Sequence, residues 1–256
     1  MVEYIGWCFT VYTISAIFII ALSAVVYYYY MNYYNIKGQY WMVRGDGVRA
    51  LEYYKKAYDR KPKAVNTLNY GYLLLRAGRL SEAETIINSA FMLSKITEDD
   101  KNRARMMLAL ISWQKGDISE AIGIYESLLA KEENTAVYAN LGFLYIESGD
   151  IDKAYKFCRR AYEYNDDNNV ILDNIAECAY RSGNLSEARE YLEKAVNSKQ
   201  PIAENYYHYA KVLKDVGDRE QALKYARMAD SMTINALSGI KKSDVSSLVS
   251  ELENEC

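Results

Sequence analysis

The chain holds one histidine, His208, so any imidazole chemistry rests on that residue. A general base or a metal ligand would need a carboxylate or cysteine nearby, and the local stretch Glu204-Asn205-Tyr206-Tyr207-His208-Tyr209 offers no such arrangement. His208 therefore reads as part of a tyrosine-rich helix face. The four cysteines, Cys8, Cys158, Cys178 and Cys256, form no CxxC pair and read as free thiols, unless folding brings two of them together. That favours a reducing compartment without requiring one. Adjacent carboxylates at Asp99-Asp100 and Asp166-Asp167 fall in expected inter-helical loops, where capping and solubility account for them. No GxxxxGK or GxGxxG loop occurs, and Cys256 ends the chain rather than standing fourth from its end. These absences argue against an enzyme, a cofactor, a metal or a small-molecule substrate.

The elements that position these residues follow from composition and pattern. Half of the 256 residues are hydrophobic, enough for one or two domains with real cores. Only 2 prolines occur, in tracts rich in Ala, Leu, Glu, Lys and Arg, so the fold is expected to be all-α. The net charge of -3 gives phosphate backbones nothing to attract, and nucleic acid is excluded as a partner class. Charge is uneven all the same. Residues Lys37 to Lys63 carry +5 and residues 64–256 carry -7.

Between Glu3 and Lys37 there is no charge, and Trp7 to Tyr30 is apolar or aromatic apart from scattered Thr and Ser. About 20 helical residues cross a hydrocarbon layer of roughly 30 Å, which this run can supply. Trp7 at one end and Tyr27 to Tyr30, continued by Tyr33 and Tyr34, at the other match the aromatic belts at headgroup depth. The basic stretch behind the span predicts a single-pass membrane protein with its remainder facing the cytoplasm. The alternative is a secreted or periplasmic envelope protein cleaved after Ser23, in the small-residue stretch Ala21-Leu22-Ser23-Ala24; the missing N-terminal Lys or Arg and the length of the run speak against it.

From about residue 45 the chain repeats. Ala50, Ala83, Ala121, Ala154, Ala188 and Ala222 are spaced by 33, 38, 33, 34 and 34 residues. Five positions before each stands a glycine: Gly45, Gly78, Gly116, Gly149, Gly183 and Gly217. Each glycine interrupts two apolar-periodic segments, as a helix stop, tight turn and helix start would. A helical hairpin of this size cannot bury its own apolar faces, so the units must stack. The irregular 38-residue step leaves four extra residues near Thr97 to Asp100, expected to lengthen the second helix of the second unit or the loop after it. Ser243 with Val245, Leu248 and Leu252 reads as an N-capped helix covering the open end.

The repeats resemble the tetratricopeptide repeat family, most clearly through Tyr138, Leu141, Gly142, Tyr145, Gly149, Ala154, Cys158 and Ala161. Six units are discernible, at about 31–64, 64–97, 102–135, 135–168, 169–202 and 203–236, the first continuing out of the apolar segment. The resemblance implies a right-handed superhelical solenoid of about six hairpins, with the anchor at 1–34, the repeats at 35–236 and a capping helix and tail at 237–256. It also implies that the first helix of each unit lines a concave, protein-binding groove. Counted onto this chain, the groove positions are Leu68, Tyr72, Arg76, Arg103, Met106, Leu110, Trp113, Phe143 and Ile146 at an apolar end. At a charged end they are Asp173, Glu177, Tyr180, Arg181, Glu204, Tyr207, Lys211 and Lys214.

Two readings stay open at these positions. Leu68, Leu110 and Ile146 also suit packing inside the stack, and the charged set also suits a solvated face. Trp113, Tyr72 and Phe143 are the residue types that anchor interfaces. In layout the chain is similar to bacterial inner-membrane repeat proteins with one N-terminal helix, without the four-cysteine metal module that one of them bears. The expected function is a membrane-anchored interaction scaffold or assembly factor. Its expected partners are a protein or peptide, fitting one itself at the membrane, and lipid through the N-terminal helix.

Overall fold

The computed structural model describes the backbone of residues 2–255 and the side chains of residues 14–254. The Trp7 belt position, the charge of Glu3 and the free-thiol readings of Cys8 and Cys256 concern side chains outside that set. Thirteen α-helices and no strand make up the described residues. Helix α1, Val2–Val43, is continuous and pairs through its last turns with α2, Gly47–Arg60. Five further hairpins follow: α3 and α4 (Ala64–Arg76, Leu80–Ala90), α5 and α6 (Glu98–Gln114, Ile118–Leu129), and α7 and α8 (Thr135–Glu147, Ile151–Tyr164). The last two are α9 and α10 (Asn169–Arg181, Leu185–Val196) and α11 and α12 (Ala203–Asp215, Arg219–Ser231). Helix α13, Lys242–Glu255, covers α12 with Val245, Leu248 and Leu252, the apolar stripe read from the sequence.

Each hairpin turn follows from two adjacent residue types. All six marker glycines adopt φ between 73 and 92°, the left-handed region that an L side chain resists. With the chain so turned, the next residue's N–H reaches back five positions, as in Asp117 to the Ser112 carbonyl at 2.9 Å and Asn184 to Ala179 at 2.9 Å. The side chain of that same residue then caps the following helix: Asp46, Asp117, Asp150, Asn184 and Asp218 each accept from the N–H three residues on. Arg79 cannot accept, and there the first turn carries an Arg79–Glu82 ion pair instead.

The helices of a hairpin cross at small residues. The six marker alanines are fully buried, and Gly71 sits so close to α4 that a Cβ there would stand 2.6 Å from Ile87 Cγ1. Gly71→Ala is expected to cost about 1–3 kcal/mol through overpacking. Gly123→Ala, at a helical position with nothing within 4 Å, should instead stabilise by about 0.5–1 kcal/mol. Urea unfolding of the two variants beside the parent measures both signs.

Two sequence expectations need correction. The four extra residues lengthen neither α4, which at 11 residues is short, nor its loop alone; they give α5 17 residues where α3, α7, α9 and α11 have 13. The cause is a capping box, Thr97 to Asp100, which starts α5 one turn early. Ser243 is not the N-cap of α13; it lies inside the first turn, where Asp244 accepts from the Lys241 N–H at 3.1 Å.

From Ile14 to Tyr30 the large apolar side chains of α1 are 51 to 69% exposed, so this stretch is no core helix. It is long and apolar enough to cross a membrane. Farther along, the same helix is part of the solenoid: Gly38 packs on the Tyr54 ring, Gln39 accepts from the Tyr54 hydroxyl at 3.1 Å, and Trp41 and Met42 join the first core cluster.

Candidate functional site

The concave face carries a cavity of about 530 Å³ running from the second hairpin to the sixth. Its apolar end is lined by Tyr72, Met106, Leu110 and Phe143, all half-buried, with exposed Arg103 at the rim, where it donates to Asn69 Oδ1 at 3.3 Å. Trp113 stands behind this wall and meets Phe143 edge to face, ring centroids 4.9 Å apart. Tyr125 supports the floor from α6, its hydroxyl donating to the Met106 carbonyl at 3.2 Å. The aromatic wall is therefore held rigidly from behind, as an anchor pocket requires.

Leu68 and Ile146 are corrections. They are 0% and 3% exposed and belong to the first and second core clusters, because both point into the stack rather than the groove. Arg76 lies beyond this cavity, stacked on Tyr72 and donating to Met42 Sδ at 3.6 Å.

The charged end is also not a solvated face. Asp173 and Glu177 are 6% and 8% exposed, and they enclose His208. Its Nδ1 lies 2.9 Å from Asp173 Oδ2 and its Nε2 3.9 Å from Glu177 Oε2. Burial alone would lower the imidazole pKa; the Asp173 charge and hydrogen bond, with Glu177, overcome it and raise the value to about 9. His208 is thus an imidazolium at neutral pH and donates to Asp173. Burial likewise pushes Glu177 upward, but His208, the 2.6 Å bond from Arg181 Nε and Lys211 together hold it below the usual carboxylate value. Around this core, Lys211 lies over the Tyr180 and Tyr207 rings and Tyr180 donates to Asp215 at 2.8 Å. Glu177, Tyr180, Arg181, Tyr207 and Lys211 therefore form a bonded belt beside the cavity rather than its lining.

The reading of His208 from its sequence neighbours missed this cluster because its partners lie 35 and 31 residues upstream, on α9. The signal was the repeat itself: positions about one period apart face each other across adjacent first helices. The same register brings Asn205 Nδ2 to Asp173 Oδ1 at 3.1 Å and Asn174 Nδ2 to the Ala139 carbonyl at 2.7 Å. Cys178 Sγ also comes to 3.9 Å from Cys158 Sγ, both buried, so folding does pair two of the thiols without joining them. Their mutual hydrogen bond and burial hold Cys158 protonated.

A further part of the site had no signal in the repeat. Between α12 and α13, residues 232–241 leave the stack as a finger that reaches the opposite wall. The Ala236 N–H donates to the Arg76 carbonyl at 3.0 Å, and Gln114 Nε2 donates to the Ala236 carbonyl at 2.6 Å. Leu237 and Gly239 close one side of the main cavity. Thr233, Ile234 and Asn235 bound a second cavity, of about 560 Å³, against the turn between α1 and α2.

A family model described as tetratricopeptide repeat matches residues 112–172 and again 145–213, the hairpins that build the centre of this groove. The chain carries tetratricopeptide repeats. Among relatives, the repeat protein is 24% identical to DnaJ homolog subfamily C member 3 of Gallus gallus over 220 residues, 80% of this chain and 43% of that one. It is 26% identical to tetratricopeptide repeat protein 21B of Xenopus laevis over 200 residues, 75% of this chain and 12% of that one. The chain thus spans less than half the length of either. Among solved structures, a thermophilic tetratricopeptide repeat protein of Thermus thermophilus matches with a TM-score of 0.60 at 17% identity, over 75% of this chain and 99% of that one. The Cut9–Hcn1 hetero-tetramer of the APC/C matches with a TM-score of 0.63 at 17% identity, over 83% and 40%. At such identities the likeness speaks for the tetratricopeptide fold alone.

Proposed function

We propose that this tetratricopeptide repeat protein is a membrane-tethered interaction scaffold whose concave face binds an extended polypeptide. The observation that carries the reading is the wall of Tyr72, Met106, Leu110 and Phe143, half-buried and backed by Trp113 and Tyr125. Rigid aromatic and Met side chains lining a concave surface are what peptide anchors dock against. The bare apolar stretch from Ile14 to Tyr30 supports the tether, and the positive charge from Lys37 to Lys63 supports a cytoplasmic solenoid. With α1 running unbroken into the first repeat, the groove stays near the bilayer, which favours a partner that is itself at the membrane.

A photo-cross-linking side chain at Met106 in the full chain, expressed in its own membrane, tests the groove. It should capture a discrete polypeptide, and Phe143→Ala should reduce that recovery at least about tenfold, the effect of losing one interface anchor. Recovery unchanged by Phe143→Ala would sink the assignment.

A further inference from the structure

The finger is longer than its task as a connection demands. Ten residues separate α12 from α13, whereas three to seven join the other consecutive hairpins. The excess is folded into a tip of fixed shape: Asn235 Oδ1 accepts from the Leu237 N–H at 2.9 Å, and the Asn235 carbonyl accepts from the Ser238 N–H at 3.0 Å. Ile234 and Ile240 root the finger on the sixth hairpin, in a cluster with Ala203, Ala229 and Val245. Its tip, by contrast, is hydrogen-bonded to residues 122 and 160 positions earlier in the chain.

At the tip the finger is held as a bound peptide would be. Both polar groups of the Ala236 backbone are bonded to the opposite wall, one to a helix-end carbonyl and one to a glutamine amide. Leu237 packs against the first core cluster, as Tyr72 and Leu110 do. Gly239 lies flat on Phe143, where any Cβ would stand 2.8 Å from the ring Cε2. Backbone bonding combined with one apolar side chain and one position too tight for a side chain is how a groove recognises a polypeptide segment in one fixed conformation.

We propose that residues 233–239 are a built-in occupant of the groove, and that an external partner engages the apolar end only by displacing them. The inference rests on the concave face being a polypeptide-binding site. It specifies the partner's chemistry: an uncharged segment that turns as Asn235 to Ser238 do, its backbone meeting the Arg76 carbonyl and the Gln114 amide, with a Leu-sized residue beside the first core cluster and a glycine on Phe143. The partner's apparent affinity scales with the fraction of chains whose finger is open.

The probe is a fluorescent, end-blocked peptide of residues 232–241, added to the full chain in detergent. Two variants lift the finger without touching the repeats. Gly239→Val drives it off the Phe143 ring. Ala236→Pro removes only the N–H bonded to Arg76, and proline suits the second position of the turn from Asn235 to Ser238. Both lifted chains should bind the peptide at least about tenfold more tightly than the parent, and Gln114→Ala added to either should weaken it severalfold. Equal affinity for parent and lifted chains would overturn the proposal. So would a lifted chain that binds no peptide although the amides of its residues 233–239 exchange freely. Should Gly239→Val fail to fold, Ala236→Pro decides alone. The probe is the chain's own segment, so a failed capture at Met106, which counts against the proposed function, leaves this assay independently readable.

Discussion

A chain beginning at Met31 is expected to leave the membrane fraction completely while its repeats melt within a few degrees of the parent. The deleted side chains from Ile14 to Tyr30 project away from the solenoid, and what is lost to folding is small. Arg60 donates to the Tyr30 carbonyl at 3.1 Å and stacks on its ring, an exposed contact of the kind worth about 0.5–1 kcal/mol. A start at Arg44 should behave very differently, although only 13 more residues go. It strips Trp41 and Met42 from the first core cluster, uncovers Tyr54 where Gly38 packed, and takes away the Asn35 amide bonded to Asn66 at 2.7 Å. Loss of one large packed aromatic alone costs about 3–5 kcal/mol. Membrane fractionation after an alkaline wash, with circular-dichroism melts of both truncations, checks the pair. A Met31 chain still in the washed pellet would refute the tether, and the intact mass of the mature protein distinguishes it from a cleaved leader.

Raising the pH from 6.5 through about 9 is expected to weaken the solenoid by about 3 kcal/mol, chiefly through His208. The folded pKa of His208 lies above its unfolded value of 6.5, so the folded state holds the proton more tightly. Its contribution is complete below pH 6.5 and fades as the pH climbs through about 9, at about 1.4 kcal/mol per unit of difference. Nearby Tyr180 and Tyr207 titrate above this window and Glu177, held low, titrates below it. Burial is the main cause of both tyrosine shifts, followed by the Asp215 hydrogen bond at Tyr180 and by the Asp244 and Glu177 charges at Tyr207.

His208→Gln should flatten this pH dependence. His208→Leu should cost more, about 3–5 kcal/mol, because it leaves two buried carboxylates facing an apolar group. The single imidazole gives one clean set of proton resonances, so its pKa is read directly by NMR alongside urea unfolding on either side of the window. An imidazole titrating near its unfolded value in the folded chain would refute the coupling.

The hairpins were legible because their grammar is local. A glycine that must take positive φ determines each turn, with an Asp or Asn behind it in five of the six, and the marker alanine five positions after the glycine fixes the crossing.

Legibility ended where position in the stack, rather than residue type, decides a side chain's surroundings. Leu68 and Leu110 look alike in sequence, yet one is sealed in the core and the other lines the cavity. Asp173 and Glu177 look like a wet face, yet the imidazolium one repeat later makes their burial tolerable. The extra turn of α5 was visible in length and place but not in the element it joins, because the capping box of Thr97 and Asp100 hands it to the helix that follows. The finger could not be read at all: nothing in Asn235-Ala236-Leu237-Ser238-Gly239 distinguishes a linker from a segment that binds across the superhelix.

The continuity of α1 has a mechanical meaning. Its 42 residues in one helix make a rod of about 63 Å with no joint between its apolar part and the first repeat. If the apolar part spans a bilayer, a thinner or thicker membrane changes its tilt, since helices answer hydrophobic mismatch by leaning. A rigid rod transmits that lean undiminished, swinging the mouth of the concave face like the head of a lever. Bilayer thickness would then set which height above the lipid the protein can reach.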